Sequence, residues 1–188
     1  MSGVVVTYGW TAVVRLCERT CELENGQIVA EGNSERVICG YLKVKDQLDP
    51  NSPARFSDEC PTSLSATSGE DWSCEIPIVV TNEARVFFNY SVEKLVIGHD
   101  WQILFFGSEA LVASSAGSYK ARIKVPKLPL NGGEYRLNLF LSGARPADGG
   151  SRPGFDIRSW TSGNSLKLNV VGREEPALVL MPLEVECI

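Results

Sequence analysis

Alternation of apolar and polar side chains in residues 76–188 constrains the fold of this chain more than any other feature. In residues 119–125 the apolar side chains share one face and the cations share the other: Tyr119, Ala121, Ile123 and Val125 against Lys120, Arg122 and Lys124. Residues 135–141 and 166–170 repeat this pattern. A period of two is typical of a strand with one buried and one solvated face.

Eight segments of residues 76–188 have strand character and are separated by turn-rich pieces. They cover residues 76–81, 84–92, 100–106, 119–125, 134–141, 155–160, 165–171 and 177–186. Strands with one apolar face must bury it against a second layer. We therefore predict a mainly β fold, an antiparallel two-sheet β-sandwich of the Ig-like or jelly-roll-like kind.

Residues 1–44 mix element types and predict a small α/β appendage before the sandwich. A β-branched run at residues 4–7 indicates a strand, and residues 11–20 have helical spacing. Residues 22–30 are typical of a hairpin, because Asn25-Gly26 suits a type I′ turn. Residues 32–35 predict the start of a second helix, with a capping side chain and an acid in its first turn.

Residues 45–75 are expected to form an acidic linker between the appendage and the sandwich. From Asp46 to Glu75, seven acidic residues stand against Arg55 alone, and Asp, Pro and Ser dominate the composition. Such a segment buries too little apolar surface to offset its ordering entropy, so we expect a mobile connector. The predicted division is 1–44, 45–75 and 76–188.

Charge argues against nucleic acid as a partner. The net charge is −5, so the overall field repels polyanions. The longest apolar runs are shorter than the ~18 residues of a transmembrane helix, and the N-terminal residues lack a signal-peptide pattern. We therefore expect a cytoplasmic protein, with peripheral attachment to the inner membrane left open.

The six cysteines are expected to be reduced thiols and not metal ligands. Cys17, Cys21 and Cys39 contain no CxxC pair, and the one histidine, His99, is distant in sequence. The pair His99-Asp100 lacks a matching nucleophile, so we read it as structural. We predict no metal site and no cofactor.

Residues 1–44 resemble the end of the nucleotide-binding domain of ABC transporters, especially polysaccharide exporters. The similarity rests on residues 16–19 (LCER), 23–26 (LENG) and 28–32 (IVAEG), in the family's order. Tyr8 stands where the family carries its switch histidine, and no GxxxxGK[ST] phosphate loop occurs in the chain. Residues 141–145 (LSGAR) only superficially resemble the family's signature motif, because they follow a predicted strand. The chain is therefore not expected to hydrolyse ATP.

Residues 76–188 are similar to the C-terminal β-sandwich of exporters of the Wzt type. Residues 123–137 (IKVPKLPLNGGEYRL), 155–157 (FDI) and 164–170 (NSLKLNV) carry the resemblance. It implies cytoplasmic recognition of an undecaprenyl-linked O-antigen or related polysaccharide, a homodimer, and a membrane-embedded transporter subunit as partner of the full-length protein. The expected function is recognition without catalysis, by a shortened exporter subunit.

A glycan site needs aromatic faces and planar polar groups on a wet sheet face. We predict carbohydrate contacts from six residues that share one surface if their strands are neighbours: Arg136, Asn138, Phe140, Asp156, Arg158 and Trp160. A second hypothesis is an anionic glycan on Lys120, Arg122, Lys124 and Lys127.

Four other interpretations stay open from the sequence. Phe140 and Trp160 are alternatively covered by the loop that begins at Gly143 or by a partner subunit, and the charges are then a solvated face. A separate alternative is that the sandwich is a dimerisation module without glycan binding. The chain could also be an enzyme, but a glycoside hydrolase would need two acids facing one cleft, which the adjacent Glu174 and Glu175 do not provide on a strand. The last alternative is a gene fragment whose product is not used.

Overall fold

A computed structural model of the chain describes residue 6 and residues 10–41, 51–95, 101–147, 149–150 and 152–172. The described residues form a β-sandwich preceded by a small α/β unit, as predicted. The predicted strands at 4–7 and 177–186, Tyr8 and His99 lie wholly or mainly outside these residues.

The α/β unit contains two short helices and one hairpin. Helix α1 spans Trp10–Leu16, strands β1 and β2 span Arg19–Glu24 and Gln27–Asn33, and helix α2 spans Ser34–Tyr41. The hairpin turns at Asn25 and Gly26 with φ of 51° and 78°, as the predicted turn requires. The side chain of Asn33 caps α2, because its Oδ1 accepts a hydrogen bond from the Arg36 amide at 3.3 Å.

Ten strands follow the α/β unit. They are β3 Ala54–Phe56, β4 Ser63–Thr67, β5 Trp72–Val80, β6 Val86–Leu95, β7 Trp101–Phe106, β8 Ala110–Ala113, β9 Gly117–Val125, β10 Gly133–Ser142, β11 Gly154–Arg158 and β12 Leu166–Val171.

Two sheets are stacked in the sandwich. The larger sheet has the order β4-β12-β10-β6-β7, with β11 also paired to β10 and β8 also paired to β6. The smaller sheet has the order β3-β5-β9. All pairs in the two sheets are antiparallel except β4 with β12, which is parallel.

The apolar faces of the two sheets form one core. In β10 every second residue points inward and is buried, and β5 contributes the facing layer. The fully buried side chains of these two strands are Tyr135, Leu137, Leu139, Leu141, Ile76 and Ile78. Alternation in the sequence thus identified the inner face of β10 correctly.

The expected mobile connector at 45–75 is wrong for the described part of that segment. Strand β3 pairs with β5, and β4 forms an edge of the larger sheet beside β12. Ala54 and Phe56 are buried in the core. Because β3 and β4 have only three and five residues, their apolar content is too small to stand out in an acidic segment. Helix α1 is also shorter than the predicted 11–20, since Arg19 and Thr20 already belong to β1.

Candidate ligand-binding surface

The side of the larger sheet that faces away from the core carries most of the predicted site residues. We call this side the outer face. The register of β10 with β6 places Arg136 opposite Glu93, Asn138 opposite Ser91 and Phe140 opposite Asn89. Side chains that are directly opposite on one face lie within contact distance.

The centre of the outer face is a buried polar network of Ser91, Glu93, Asn138 and Trp160. The Asn138 amide donates to the Ser91 hydroxyl at 3.1 Å, and that hydroxyl donates to the Glu93 carboxyl at 3.2 Å. Asn138 Oδ1 accepts from the Trp160 backbone N–H at 3.1 Å. Trp160 is only 8% exposed. The Trp160 indole also donates a hydrogen bond to the Glu93 carboxyl, so it belongs to this network. Because the ring is buried, it does not offer an open face on which a sugar could stack.

Burial changes the acidity of Glu93. Desolvation raises the pKa of its carboxyl above the ordinary 4.5, while hydrogen bonds from the side chains of Ser91, Trp160 and Asn138 oppose the shift. A buried glutamate that accepts three side-chain hydrogen bonds fixes the orientation of its neighbours. The network therefore holds Asn138 and Trp160 in one arrangement.

Arg136 joins helix α2 to the outer face. Its Nη2 donates to both carboxylate oxygens of Glu35 at 3.0 and 3.1 Å, and its Nη1 lies 3.0 Å from the Glu134 carboxylate. The Arg136 side chain is only 7% exposed. The Cys39 thiol, also on α2, donates to the Trp160 carbonyl at 3.0 Å. Desolvation raises the pKa of Cys39, so this thiol is held in its neutral form.

A cleft of about 560 Å³ lies between α2, the turn at residues 161–163 and the outer face. We call it the α2 cleft. Arg36 and Cys39 line it from the helix, Arg136 and Lys167 from the sheet, and Ser162 and Ser165 from the turn side. Its size is in the range of ordinary small-ligand sites.

Aromatic and amide groups occupy the other end of the outer face. Phe140 and Asn89 are half-buried, and the buried Oδ1 of Asn89 has no hydrogen-bond partner among the described residues. Phe106 on β7 is opposite Ser91 and is 59% exposed. Strand spacing places the Cα atoms of Phe106 and Phe140 ~12 Å apart, on either side of Asn89.

The six residues predicted as a glycan site do not line one surface. The structure brings Arg136, Asn138, Phe140 and Trp160 to the outer face, although Trp160 follows the end of β11. Asp156 and Arg158 are opposite Leu141 and Leu139, so they point to the inner face. Glycan contact by any of the six remains a prediction.

Asp156 and Arg158 instead connect the two sheets. The Asp156 carboxylate accepts the Phe56 amide of β3 at 2.7 Å. The Arg158 guanidinium donates to the Ser57 carbonyl at 3.2 Å and lies 5.8 Å from the centre of the Phe56 ring. Their strand, β11, lies at the margin of the larger sheet, where inward-pointing polar groups still find partners.

The cationic row predicted for an anionic glycan lies on the smaller sheet and is partly neutralised. Lys120 and Arg122 both form ion pairs with Glu75, which is opposite Arg122 in β5. Hydrogen bonds from Arg122 and Lys120 hold the pKa of Glu75 below its usual value. Lys124 is exposed, and Lys127 lies in a turn after β9. Two of the four cations of the row, Lys120 and Arg122, thus belong to an exposed ion-pair network.

Sequence reasoning missed five residues of the outer face and the α2 cleft: Glu35, Arg36, Ser91, Glu93 and Phe106. Ser91 and Glu93 are two residues apart in β6, so they point to the same side of the sheet as Asn89. This alternation is the signal in the sequence that could have identified them. Glu35 was noted only as an acid in the first turn of a helix. Its contact with Arg136, 101 residues away, has no local signal.

Metal and membrane features are not seen in the described part of the chain. It contains no cluster of three or more metal-ligating side chains. The cysteines at 17, 21, 39, 60 and 74 are free thiols. Neither helix of this part has the length and hydropathy needed to span a bilayer.

No protein-family model matches the sequence, and no curated protein sequence matches it. Among solved structures, the fold is similar to the C-terminal domain of wzt, with a TM-score of 0.52 and 16% identity over 66% of this chain and 74% of that chain. At this identity the likeness establishes a shared fold.

Two further solved structures are similar at a lower level. One is WR4, a C. elegans MSP family member, with a TM-score of 0.34 and 11% identity over 59% of this chain and 94% of that chain. The other is a mutant beta-glucosidase from Listeria innocua, with a TM-score of 0.34 and 10% identity over 65% of this chain and 16% of that chain. These scores are too low to support a functional argument.

Proposed function

We propose that the sandwich binds a polysaccharide on its outer face and that the chain acts in polysaccharide export, as a glycan-recognising module of the Wzt type. The fold shared with the C-terminal domain of wzt and the exporter-like residues 16–32 support this role. The observation that carries it is the pairing of Phe140 with Asn89, a half-buried aromatic ring directly opposite a half-buried amide side chain on the outer face.

Stacking and amide hydrogen bonds are the contacts that sugar rings need. The apolar side of a pyranose stacks on an aromatic ring, while an amide side chain exchanges hydrogen bonds with sugar hydroxyls. The Cα atoms of Phe106 and Phe140 are ~12 Å apart. This spacing suits stacking on two sugar rings at separate positions along an oligosaccharide. The buried residues of the same face would hold this surface in position without contacting the sugar. They are Arg136, Asn138 and Trp160.

The proposal includes the cellular setting that the family resemblance implies. The glycan is an undecaprenyl-linked O-antigen or related polysaccharide, bound on the cytoplasmic side by a homodimer that associates with a membrane-embedded transporter subunit. Binding without catalysis is proposed, because the sequence contains no phosphate loop of the Walker type. We retain as a proposal the separation of residues 1–44 from the sandwich of residues 76–188, and we count β3 and β4 of the segment 45–75 with the sandwich.

Titration with the polysaccharide of the source cell tests the proposal. The wild-type chain is expected to bind it, and Phe140→Ala is expected to weaken binding about two- to tenfold, since aromatic ring contacts are worth of the order of 0.5–1.5 kcal/mol. Val171→Ala, which removes an exposed apolar side chain at the end of β12, is the matched control and should leave affinity unchanged. Equal affinities of wild type and Phe140→Ala would contradict the assigned surface.

A dimerisation module is the second candidate function. Strand β7 lies at an edge of the larger sheet and carries Ile103 and Phe106, which are 52% and 59% exposed. An exposed strand edge with apolar side chains favours pairing with another chain. Light scattering discriminates the two functions: Phe106→Asp should convert a dimer to a monomer if this edge is the interface. If it leaves the mass unchanged but weakens glycan binding, the edge belongs to the glycan surface.

A further inference from the structure

The cations of the α2 cleft differ from those of the smaller sheet in how they are balanced. Lys120 and Arg122 share Glu75 as a partner. In the cleft, both nearby acids, Glu35 and Glu134, pair with Arg136. The described residues offer no acid within ion-pair distance of Arg36 or Lys167. The cleft therefore keeps two cationic side chains on its walls without an internal counter-charge.

The register of the sheet places Lys167 beside the ion pairs of Arg136. Lys167 on β12 is directly opposite Arg136 on β10, on the same outer face. Arg136 is already matched by Glu35 and Glu134, and its side chain is 93% buried by contacts with α2 and with its own strand. The positive charge that is open to a ligand is therefore that of Arg36 and Lys167. An anion between these two side chains would supply the counter-charge that they lack.

The polar groups around the cations suit an oxyanion carried on a hydroxylated molecule. Ser162 and Ser165 contribute hydroxyls, and Asn33 contributes an amide at the start of α2. A volume of about 560 Å³ leaves room for more than a simple ion. Glu35 and Glu134 are both occupied by Arg136, so they orient its guanidinium and do not pair with Arg36 or Lys167.

We propose that the α2 cleft binds an anionic group of the polysaccharide, either a sugar carboxylate or a phosphate ester, between Arg36 and Lys167. This inference rests on the proposed glycan-binding function and adds the chemical class of the ligand. It also moves the anionic contacts from the smaller sheet, where the sequence suggested them, to the opposite side of the sandwich. Arg36 comes from the α/β unit, so the site requires that unit as well as the sandwich.

The test is a titration of the isotope-labelled full chain, followed by amide chemical shifts and affinity. The probes are a glucuronate-containing oligosaccharide, the same oligosaccharide with its carboxyl groups reduced, and glucose 1-phosphate. We expect the acidic oligosaccharide or glucose 1-phosphate to shift the amides of residues 161–165. The bound acidic probe identifies which oxyanion the cleft selects. Its affinity should fall with added salt, because the contact is between charges.

Variants separate a bound anion from a general charge effect. Lys167→Gln and Arg36→Gln should each weaken the acidic probe about fivefold or more, as expected for the loss of one charge-assisted contact. Lys120→Gln removes one cation from the smaller sheet, so it is the matched control and should leave the affinity unchanged. Amide exchange of α2 in each variant verifies that the helix remains docked.

Failure of this inference is distinguishable from failure of the proposed function. If the reduced oligosaccharide binds as tightly as the acidic one, and Lys167→Gln changes neither, the anion site is overturned while glycan binding stands. If the acidic probes shift residues 161–165 but the source polysaccharide does not bind, the cleft stands and its assignment to a glycan is overturned. Absence of shifts with all three probes overturns the inference.

Discussion

Glu93 is the residue whose chemistry the fold alters in a directly measurable way. Glu93 is 7% exposed, and its carboxyl accepts hydrogen bonds within the polar network of the outer face. Burial raises the pKa of this carboxyl in the folded chain above its value in the unfolded chain. The folded state therefore holds the proton more tightly than the unfolded state does.

The sign of the resulting pH dependence follows from proton linkage. The contribution of Glu93 to stability is fully present below the ordinary pKa of 4.5 and is lost as pH rises through the raised pKa of the folded state. Glu93→Gln removes this titration, so the decline in the free energy of unfolding over that window should become shallower. Urea unfolding at a series of pH values measures this slope. Glu70→Gln, at an exposed position, is the control and should leave the slope unchanged. An unchanged slope in Glu93→Gln would contradict the shift.

Arg136 is the residue that connects the α/β unit with the sandwich most directly. Arg136→Met removes the bidentate contact with Glu35 and the pair with Glu134. We expect a loss of about 2 kcal/mol in the free energy of unfolding, less than for a fully buried pair because Glu35 can regain water. Arg122→Met, on an exposed pair, should cost less than about 1 kcal/mol. Equal losses in the two variants would show that Arg136 has no special structural role.

At the level of single residues, the sequence predicted correctly which side chains of β10 point outward but not which side chains of β11 do so. Phe140, Asn138 and Arg136 were placed on a common face because they alternate with leucines, and the register confirms that placement. Asp156 and Arg158 were assigned to the same face because charged residues usually point to water. They point inward instead, since β3 offers them a backbone amide, a carbonyl and the Phe56 ring. Those partners are about 100 residues away, so no local pattern reveals them.

At the scale of elements, β10 is the strand on which the sandwich depends most. It pairs with β6, β11 and β12, and its inward side chains are completely buried. Leu137→Ala should lower the free energy of unfolding by about 3 kcal/mol, because it leaves a cavity at the centre of the core. Lys124→Ala on the exposed face of β9 should change it by less than about 0.5 kcal/mol. Urea unfolding of both variants provides the comparison, and similar midpoints would argue against a common core.

The junction after β7 is packed too tightly for any side chain. A Cβ on Gly107 would overlap the Tyr90 ring, which also contacts Phe88 and Phe105. We expect Gly107→Ala to lower the free energy of unfolding by roughly 1–3 kcal/mol, since the ring has to move within an aromatic cluster. Gly40→Ala in α2, where a Cβ meets no atom within 4 Å, is the control and should cause no loss. A neutral Gly107→Ala would show that Tyr90 moves freely.

The elements that the sequence predicted are those with sustained periodicity. The predicted segments at 119–125, 134–141 and 165–171 agree with β9, β10 and β12 to within two residues at each end. The missed strands β3, β4 and β8 have three to five residues and draw their stability from pairing with longer neighbours. The periodicity of the sequence does not reveal such short strands, because several alternations of apolar and polar residues are needed to recognise a strand.

At the scale of the whole molecule, helix α2 connects the α/β unit with the candidate ligand surface. The Glu35–Arg136 pair and the Cys39–Trp160 hydrogen bond join the two parts. Glu35→Gln should increase amide hydrogen exchange in α2 and at residues 159–163 severalfold, because the charged contact is lost. Exchange in β5 and β9 should not change. Exchange that rises equally in all these elements would indicate global destabilisation and not loss of docking.

The parallel pairing of β4 with β12 has a consequence for synthesis of the chain. Ser63 is opposite Lys167, so this edge of the larger sheet is completed by residues separated by about a hundred positions. While the ribosome is still producing the intervening residues, the early edge strand has no partner, and closure of that long loop is an entropically slow step. Nascent chains that end before β12 should consequently remain open to proteases and chaperones, even though most strands of the sandwich have already been made.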